Sequence, residues 1–290
     1  VLVWTWRLTT KKALSREDWL LGPEWFVPFG YGNHPVGRQI RRMVRSILAL
    51  DPIYHLPRFL ARPATLDEWK LWLVYNQPEA RGVRNRLKII HQKIFEHFRG
   101  LYAKGVREIK VCSLACGSAQ AVVDAASRLV DETQDASLEF RFHFVDRDLE
   151  ALQTARDMVF DRGFNFSWVR IYQENLREFL EPRIRDEWQV HVVDFVGFTD
   201  YLSVKKEVAY YALARQVLCP GGQLVTAHIN RSLWGFVVRW GTNWLQLKRR
   251  MPWTLKRVLK RAGFKDVRLT VEPCLAHTVA ECFRTDNVTA

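Results

Sequence analysis

No apolar run in this 290-residue sequence approaches the roughly 18 residues that a membrane-spanning helix needs, so a helical membrane protein is not expected. Cysteine is scarce and unpaired along the chain. Cys112, Cys116, Cys219, Cys274 and Cys282 form no C-x-x-C pair and no close set with histidines, so neither a zinc centre nor a disulfide framework is expected. Internal repeats and low-complexity tracts are absent, which excludes solenoids and disordered arrays. The opening VLVWTWR lacks the basic-then-apolar order of a secretory leader, so the expected location is cytoplasmic. With 48% apolar and 26% charged residues, the chain has the composition to bury a core without cross-links.

Acidic residues are in short supply, and unevenly so. Net charge is +13, yet residues 109–230 hold 13 Lys/Arg against 18 Asp/Glu, while residues 1–108 hold 19 against 9 and residues 231–270 hold 11 against 1. Basic character is confined to two flanks around a mildly acidic centre. That distribution points to one surface that meets something anionic.

Residues 1–75 carry many aromatics and prolines with patchy periodicity, the pattern of short helices joined by turns. Gly37 to Leu50 has helical spacing, with Ile40, Met43, Val44, Ile47 and Leu48 on one face and arginines largely on the other, and predicts a basic amphipathic helix. From about Pro78 to Tyr102, Val83, Leu87, Ile90, Ile94 and Phe98 recur every three or four residues and predict a long helix. Residues 1–104 are accordingly expected to form a mostly helical accessory segment and residues 105–290 the principal domain. After Gly105 apolar strands alternate with helices: IKVCSLA, FRFHFVD, FSWVRIYQ, WQVHVVDFV and QLVTAHI, then a helix TLKRVLKRAGF and two closing strands, DVRLTVEP and HTVAECFR. Parallel strands need crossover connections, so this order predicts an α/β fold: a seven-stranded, mainly parallel sheet with helices on both faces.

In such sheets ligands bind beyond the carboxyl ends of the strands. The first strand-to-helix turn here is Leu114-Ala115-Cys116-Gly117-Ser118-Ala119, where Gly117 lets bare backbone approach a ligand and the following helix offers free N–H groups. About thirty residues on, the strand Phe140 to Val145 ends in Asp146, placed to accept hydrogen bonds from the two ribose hydroxyls of a nucleoside cofactor. The pattern G-x-G-x-x-G appears nowhere, so the turn is not built for a dinucleotide pyrophosphate.

The ordered set VCSLACGSA, FVDRDLEAL, QENL, VDFVGFTDYL and VLCPGGQLV resembles the motifs of class I S-adenosylmethionine-dependent methyltransferases over residues about 109–285. The resemblance implies a Rossmann-like fold with S-adenosyl-L-methionine as cofactor. Ala115, Cys116, Gly117 and Ser118 would line its methionine part, Asp146 its ribose with Arg147 beside the adenine, and Asn175 and Leu176 would border the ring. Many members carry Asp where Asn175 stands. Within the class, the S-L-A-C-G turn, Gly197-Phe198-Thr199-Asp200-Tyr201-Leu202 and the R-x-x-R pair Arg81 and Arg84 are similar to bacterial small-molecule enzymes of the extracellular-factor type, which make 3-hydroxypalmitate methyl ester. Arg81 joins the expected cofactor set on these grounds, and Asp194, Phe195 and Gly197 join it as residues that face the site from the end of the fourth strand.

Methyl transfer from a sulfonium requires little of the protein beyond alignment, with a base only where the nucleophile bears a proton. The candidates at strand ends are Asp200 and Tyr201 after the fourth strand and His228 and Asn230 after the fifth; His228 is the candidate base because imidazole titrates near neutrality. Ser232 to Pro252 interleaves Trp234, Phe236, Trp240 and Trp244 with Arg239 and Lys248-Arg249-Arg250, which suits a lid over the site, an anionic or amphipathic acceptor, or peripheral membrane contact. Two further readings stay open. The basic flanks fit an RNA methyltransferase, although the fourth strand ends in DFVGFT and not in the NPPY or DPPY of exocyclic-amine methylators; and the fold can serve as a non-catalytic scaffold that binds S-adenosylmethionine.

Overall fold

The computed structural model describes residues 51–54, 62–231 and 247–285. The amphipathic helix expected over residues 37–50 and the aromatic stretch 232–246 lie outside them. A helical turn at Asp51–Tyr54 precedes α1 (Leu66–Asn76) and the long helix α2 (Pro78–Ala103), which matches the expected stripe almost residue for residue. Pro78 opens α2, where its missing N–H costs nothing and its fixed φ suits the first turn. Then follow β1 (Glu108–Leu114), α3 (Gln120–Thr133), β2 (Glu139–Asp146), α4 (Leu149–Asp161), β3 (Val169–Gln173), α5 (Leu176–Arg185), β4 (Val190–Val196), α6 (Val204–Gln216), β5 (Leu218–Ile229), α7 (Pro252–Arg261), β6 (Asp266–Val271) and β7 (His277–Phe283).

The seven strands form one sheet in the order β3-β2-β1-β4-β5-β7-β6. Strands β1 to β5 run parallel and β7 is antiparallel to both neighbours. The strand order reverses between β1 and β4, which makes the carboxyl end of that pair the switch point of the sheet.

Two apolar layers sandwich this sheet. Ile90, Ile94 and Phe98 of α2 pack with Val122, Ala126, Phe142 and Val225 on one face, while Phe179, Tyr211 and Leu259 of α5, α6 and α7 pack with Leu114, Val193 and Leu224 on the other. Side chains alternate along a strand, so Val192 and Val193, or Leu224 and Val225, enter opposite layers. The same alternation decides where polar residues at the strand ends point. Asp194 and His277 fall on the α2 side, and Phe195 and His228 on the α6 side.

The amino end of α2 lies over the start of β7. A Cβ on Gly82 would stand 2.8 Å from Ala276 Cβ and 3.1 Å from His277 Cδ2, so glycine is what lets helix and strand close up. Through this approach the helix carries its inner face to the carboxyl end of the sheet.

Candidate active site

At the switch point the β1 turn has a compressed backbone. Ala115, Gly117 and Ala119 all have positive φ, at 50°, 54° and 51°. Glycine adopts this region freely, but each alanine there is strained by about 1–3 kcal/mol and must be held by its surroundings. The holding contacts are visible: Cys116 N donates to Val145 O at 3.2 Å, Ala119 N to Cys116 O at 2.8 Å, and Gly117 N to Asp146 Oδ2 at 3.3 Å. Asp146 Oδ1 meanwhile accepts from Arg147 N at 2.7 Å and Asp148 N at 3.1 Å. The first turn and the β2 carboxylate are thus one unit, as the spacing from Gly117 to Asp146 suggested. Asp146 is half-buried and Oδ2, with only one long bond, keeps acceptor capacity toward the cleft.

Asp194 ends β4 beside this turn. Its Oδ2 accepts from Ser113 Oγ at 2.9 Å, and its Oδ1, though buried, has no partner among the described residues. Burial pushes its carboxyl up to about 6, against the Ser113 hydroxyl and the Arg86 guanidinium. Arg86 was not anticipated. It is only 3% exposed, on the inner face of α2, and its position between Val83 and Ile90 on the apolar stripe was the available signal. Its Nη2 donates to Tyr54 Oη at 3.2 Å, and its Nε has no partner among the described residues. Both ring nitrogens of the buried His277 are likewise unpartnered there. Burial and then Arg86 hold His277 well below the usual imidazole range, so its ring is neutral at pH 7.

On the other side of the sheet His228 is 1% exposed and fixed in a network of charges. Its Nδ1 lies 2.8 Å from Asp200 Oδ1 and its Nε2 3.1 Å from Glu207 Oε1, in ion-pair contact without aligned hydrogen bonds. Glu207 also binds Arg250, whose Nη1 is 2.6 Å from His228 Nε2 and whose Nη2 donates to Leu202 O at 2.7 Å. Asp200 Oδ1 accepts from Ile229 N at 2.9 Å. Burial alone would lower the imidazole, but Asp200 and Glu207 outweigh it and raise it to about 9. Both ring nitrogens of His228 are thus occupied, by Asp200, Glu207 and Arg250. The expected base His228 and the expected catalytic Asp200 thereby lie together in one network at the β4 and β5 ends; Tyr201, half-buried, lies in the same short helical turn as Asp200 (Phe198–Tyr201).

The remaining expected positions divide. Gly197, with φ 91°, turns the chain between β4 and that short helical turn, and Ser118 is buried in the first turn. Cys116 and Leu176 place their side chains in the apolar layers, and Phe195 packs on Phe198 and Tyr211. Asn175 caps α5, its Oδ1 accepting from Arg177 N at 3.1 Å, and Arg147 is exposed beside Asp146. Asn230 is locked by Thr278 Oγ1, which donates to its Oδ1 at 2.7 Å, and by Leu275 O. Arg81 is exposed on α2, five residues and about 140° round the helix from Arg86. Arg84 ties α2 to the preceding chain by donating to Tyr75 O at 2.7 Å and Ile53 O at 3.4 Å. No group of three or more His, Cys, Asp or Glu among the described residues can hold a metal.

Of the basic run Lys248-Arg249-Arg250, the two arginines turn inward. Arg249 pairs with Glu79 of α2 and Arg250 with Glu207 of α6, while Lys248 N donates to Asp200 O at 2.7 Å. The two arginines are therefore neutralised by carboxylates of the chain, and Lys248 stays exposed. Four further exposed cations, Lys256, Arg257, Lys260 and Arg261, stand on α7 beside Trp253.

No family model and no curated protein matches the chain in sequence. Solved structures do resemble it. A protein of Bordetella parapertussis described as a possible exported protein superposes with a TM-score of 0.67 at 15% identity, covering 90% of this chain and 86% of that one. An O-methyltransferase family protein of Burkholderia thailandensis gives 0.52 at 14% identity, covering 87% and 72%. The magnesium protoporphyrin IX methyltransferase of Synechocystis PCC 6803, with bound S-adenosylhomocysteine, gives 0.52 at 11% identity, covering 85% and 98%. At these identities the likeness shows a shared fold, the seven-stranded Rossmann-like architecture of methyltransferases.

Proposed function

We propose that the protein is an S-adenosylmethionine-dependent methyltransferase acting on a small-molecule acceptor. The observation that carries this reading is the strained β1 turn joined through Gly117 N to the Asp146 carboxylate at the switch point. The residues present fit the cofactor: the turn offers backbone without side chains in the way, Asp146 Oδ2 can accept from ribose hydroxyls, and the unpartnered Asp194 Oδ1 suits an ammonium. When bound, the cofactor supplies a methyl group on a cationic sulfur, which is displaced as the acceptor atom bonds to the methyl carbon. The chain's own part is to hold the ligands in line and to keep the strand ends rigid, which the Asp200–His228–Glu207–Arg250 network does. No base is required where the acceptor atom is already ionised.

Calorimetric titration of the protein with S-adenosylmethionine, S-adenosylhomocysteine and NAD tests this directly. Affinity for the first two and none for NAD is expected; absence of binding to either adenosyl compound would remove the proposal.

One further surface favours an anionic contact. Trp253 is 58% exposed, and Lys256, Arg257, Lys260 and Arg261 share its face of α7, which contains no acidic residue. A cationic helix face with an interfacial tryptophan suits an acidic lipid surface. Replacing these four cations with Glu should abolish sedimentation with vesicles of phosphatidylcholine and phosphatidylserine while leaving S-adenosylhomocysteine affinity unchanged. Equal sedimentation of the variant, or binding to RNA and not to vesicles, would count against the lipid partner.

A further inference from the structure

Arg86 is a buried charge held mainly at a distance: burial opposes its guanidinium, and Tyr54, Asp200 and Tyr201 together outweigh that burial. A fully buried guanidinium is strongly disfavoured unless it is paired and hydrogen-bonded. Arg86 is 3% exposed, yet among the described residues it has one hydrogen bond, to the neutral Tyr54 hydroxyl, and no carboxylate at ion-pair distance. Asp194, Asp200 and His277 are close enough to interact with it electrostatically without touching it. Its Nε and both His277 nitrogens are buried and unpartnered among the described residues. A planar group with two acceptor oxygens and a negative charge complements this set, because a guanidinium fork and a neutral imidazole N–H both donate to it.

The position of the set indicates whose anion it is. Residues assigned to the cofactor stand on β2, β1 and β4, whereas His277 opens β7, two strands beyond β4 and so about 10 Å from it across the sheet. Gly82 brings α2 down onto this end of β7, placing Arg86 over the β4, β5 and β7 ends. That is the side of the cleft left to the acceptor. Resting on the methyltransferase reading above, we propose that Arg86 and His277 form the acceptor subsite and seat a carboxylate of the acceptor. The carboxylate serves as the anchor that orients the molecule toward the β1 turn.

Thermal unfolding of the protein, with and without saturating S-adenosylhomocysteine, can be followed with sodium octanoate, benzoate and indole-3-acetate, each compared with its corresponding alcohol. At least one carboxylate should raise the unfolding temperature by roughly 5 °C at saturation while its alcohol does not. Arg86→Met, which keeps the length and removes the charge, should lose that response and retain S-adenosylhomocysteine affinity within about twofold by calorimetry. Arg86→Gln serves the same comparison if the methionine variant is not recovered folded. The proposal is overturned if no carboxylate is distinguished from its alcohol, if Arg86→Met keeps the carboxylate response, or if it loses S-adenosylhomocysteine. Failure of the wild-type protein to bind S-adenosylhomocysteine would instead sink the methyltransferase reading, and the carboxylate arm measured without it would still report on Arg86.

Discussion

Asp146→Asn should weaken S-adenosylhomocysteine binding by on the order of a hundredfold, with little change in unfolding temperature. The carboxylate has two separate tasks. Its Oδ1 holds the N–H groups of Arg147 and Asp148, and its Oδ2, which takes one long bond from Gly117 N, keeps capacity to accept from a ligand. An asparagine that keeps its oxygen on the first two donors presents an NH2 group to Gly117 N and to the ligand, so a charged acceptor becomes a donor facing donors. Losing hydrogen bonds to a charged group costs about 1.5–3 kcal/mol each, and about 2.7 kcal/mol corresponds to a hundredfold in affinity. The turn itself keeps its contacts to Val145 O and Cys116 O, so the fold should persist. Calorimetry on the variant measures the effect; affinity within threefold of the parent would remove Asp146 from the ribose position.

The sheet was legible because its central strands are buried on both faces and therefore read as near-continuous apolar runs, with the glycine turn and Asp146 marking their ends. Individual side-chain directions were not. Cys116, Leu176 and Phe195 were expected at the cofactor, yet their side chains fill the apolar layers, because a motif fixes where the backbone passes and packing decides what each side chain meets. Arg86 was hidden for the opposite reason. A charge on the apolar stripe of α2 is visible in the sequence, but its significance depends on Tyr54, Asp194 and His277, which three separate segments bring to it. Arg249 and Arg250 likewise read as part of a basic surface run until their partners Glu79 and Glu207, more than 40 residues away in sequence, are seen. Charge counting locates basic segments but cannot tell a surface cation from one neutralised inside.

His228→Ala should be the most destabilising single change considered, lowering the unfolding temperature by on the order of 10 °C at pH 7. The imidazole separates Asp200, 3% exposed, from Glu207, which is fully buried, and its removal leaves two carboxylates in a low-dielectric site with Arg250 and the more distant Arg86 as remaining cations. Breaking a buried pair by deleting one partner costs about 3–5 kcal/mol, and in a chain of this size each kcal/mol corresponds to about 2–4 °C. The pH dependence has a definite sign. The folded value of His228, about 9, lies above its ordinary 6.5, since Asp200 and Glu207 overcome the opposing effect of burial. Its contribution is therefore fully present below about pH 6.5 and is lost as pH rises through 9. The parent protein should lose stability across that window and His228→Ala should not, so the two unfolding curves should converge by pH 10. Parallel curves from pH 6 to 10 would show that the imidazole is neutral in the fold, and that Arg250 alone balances Glu207.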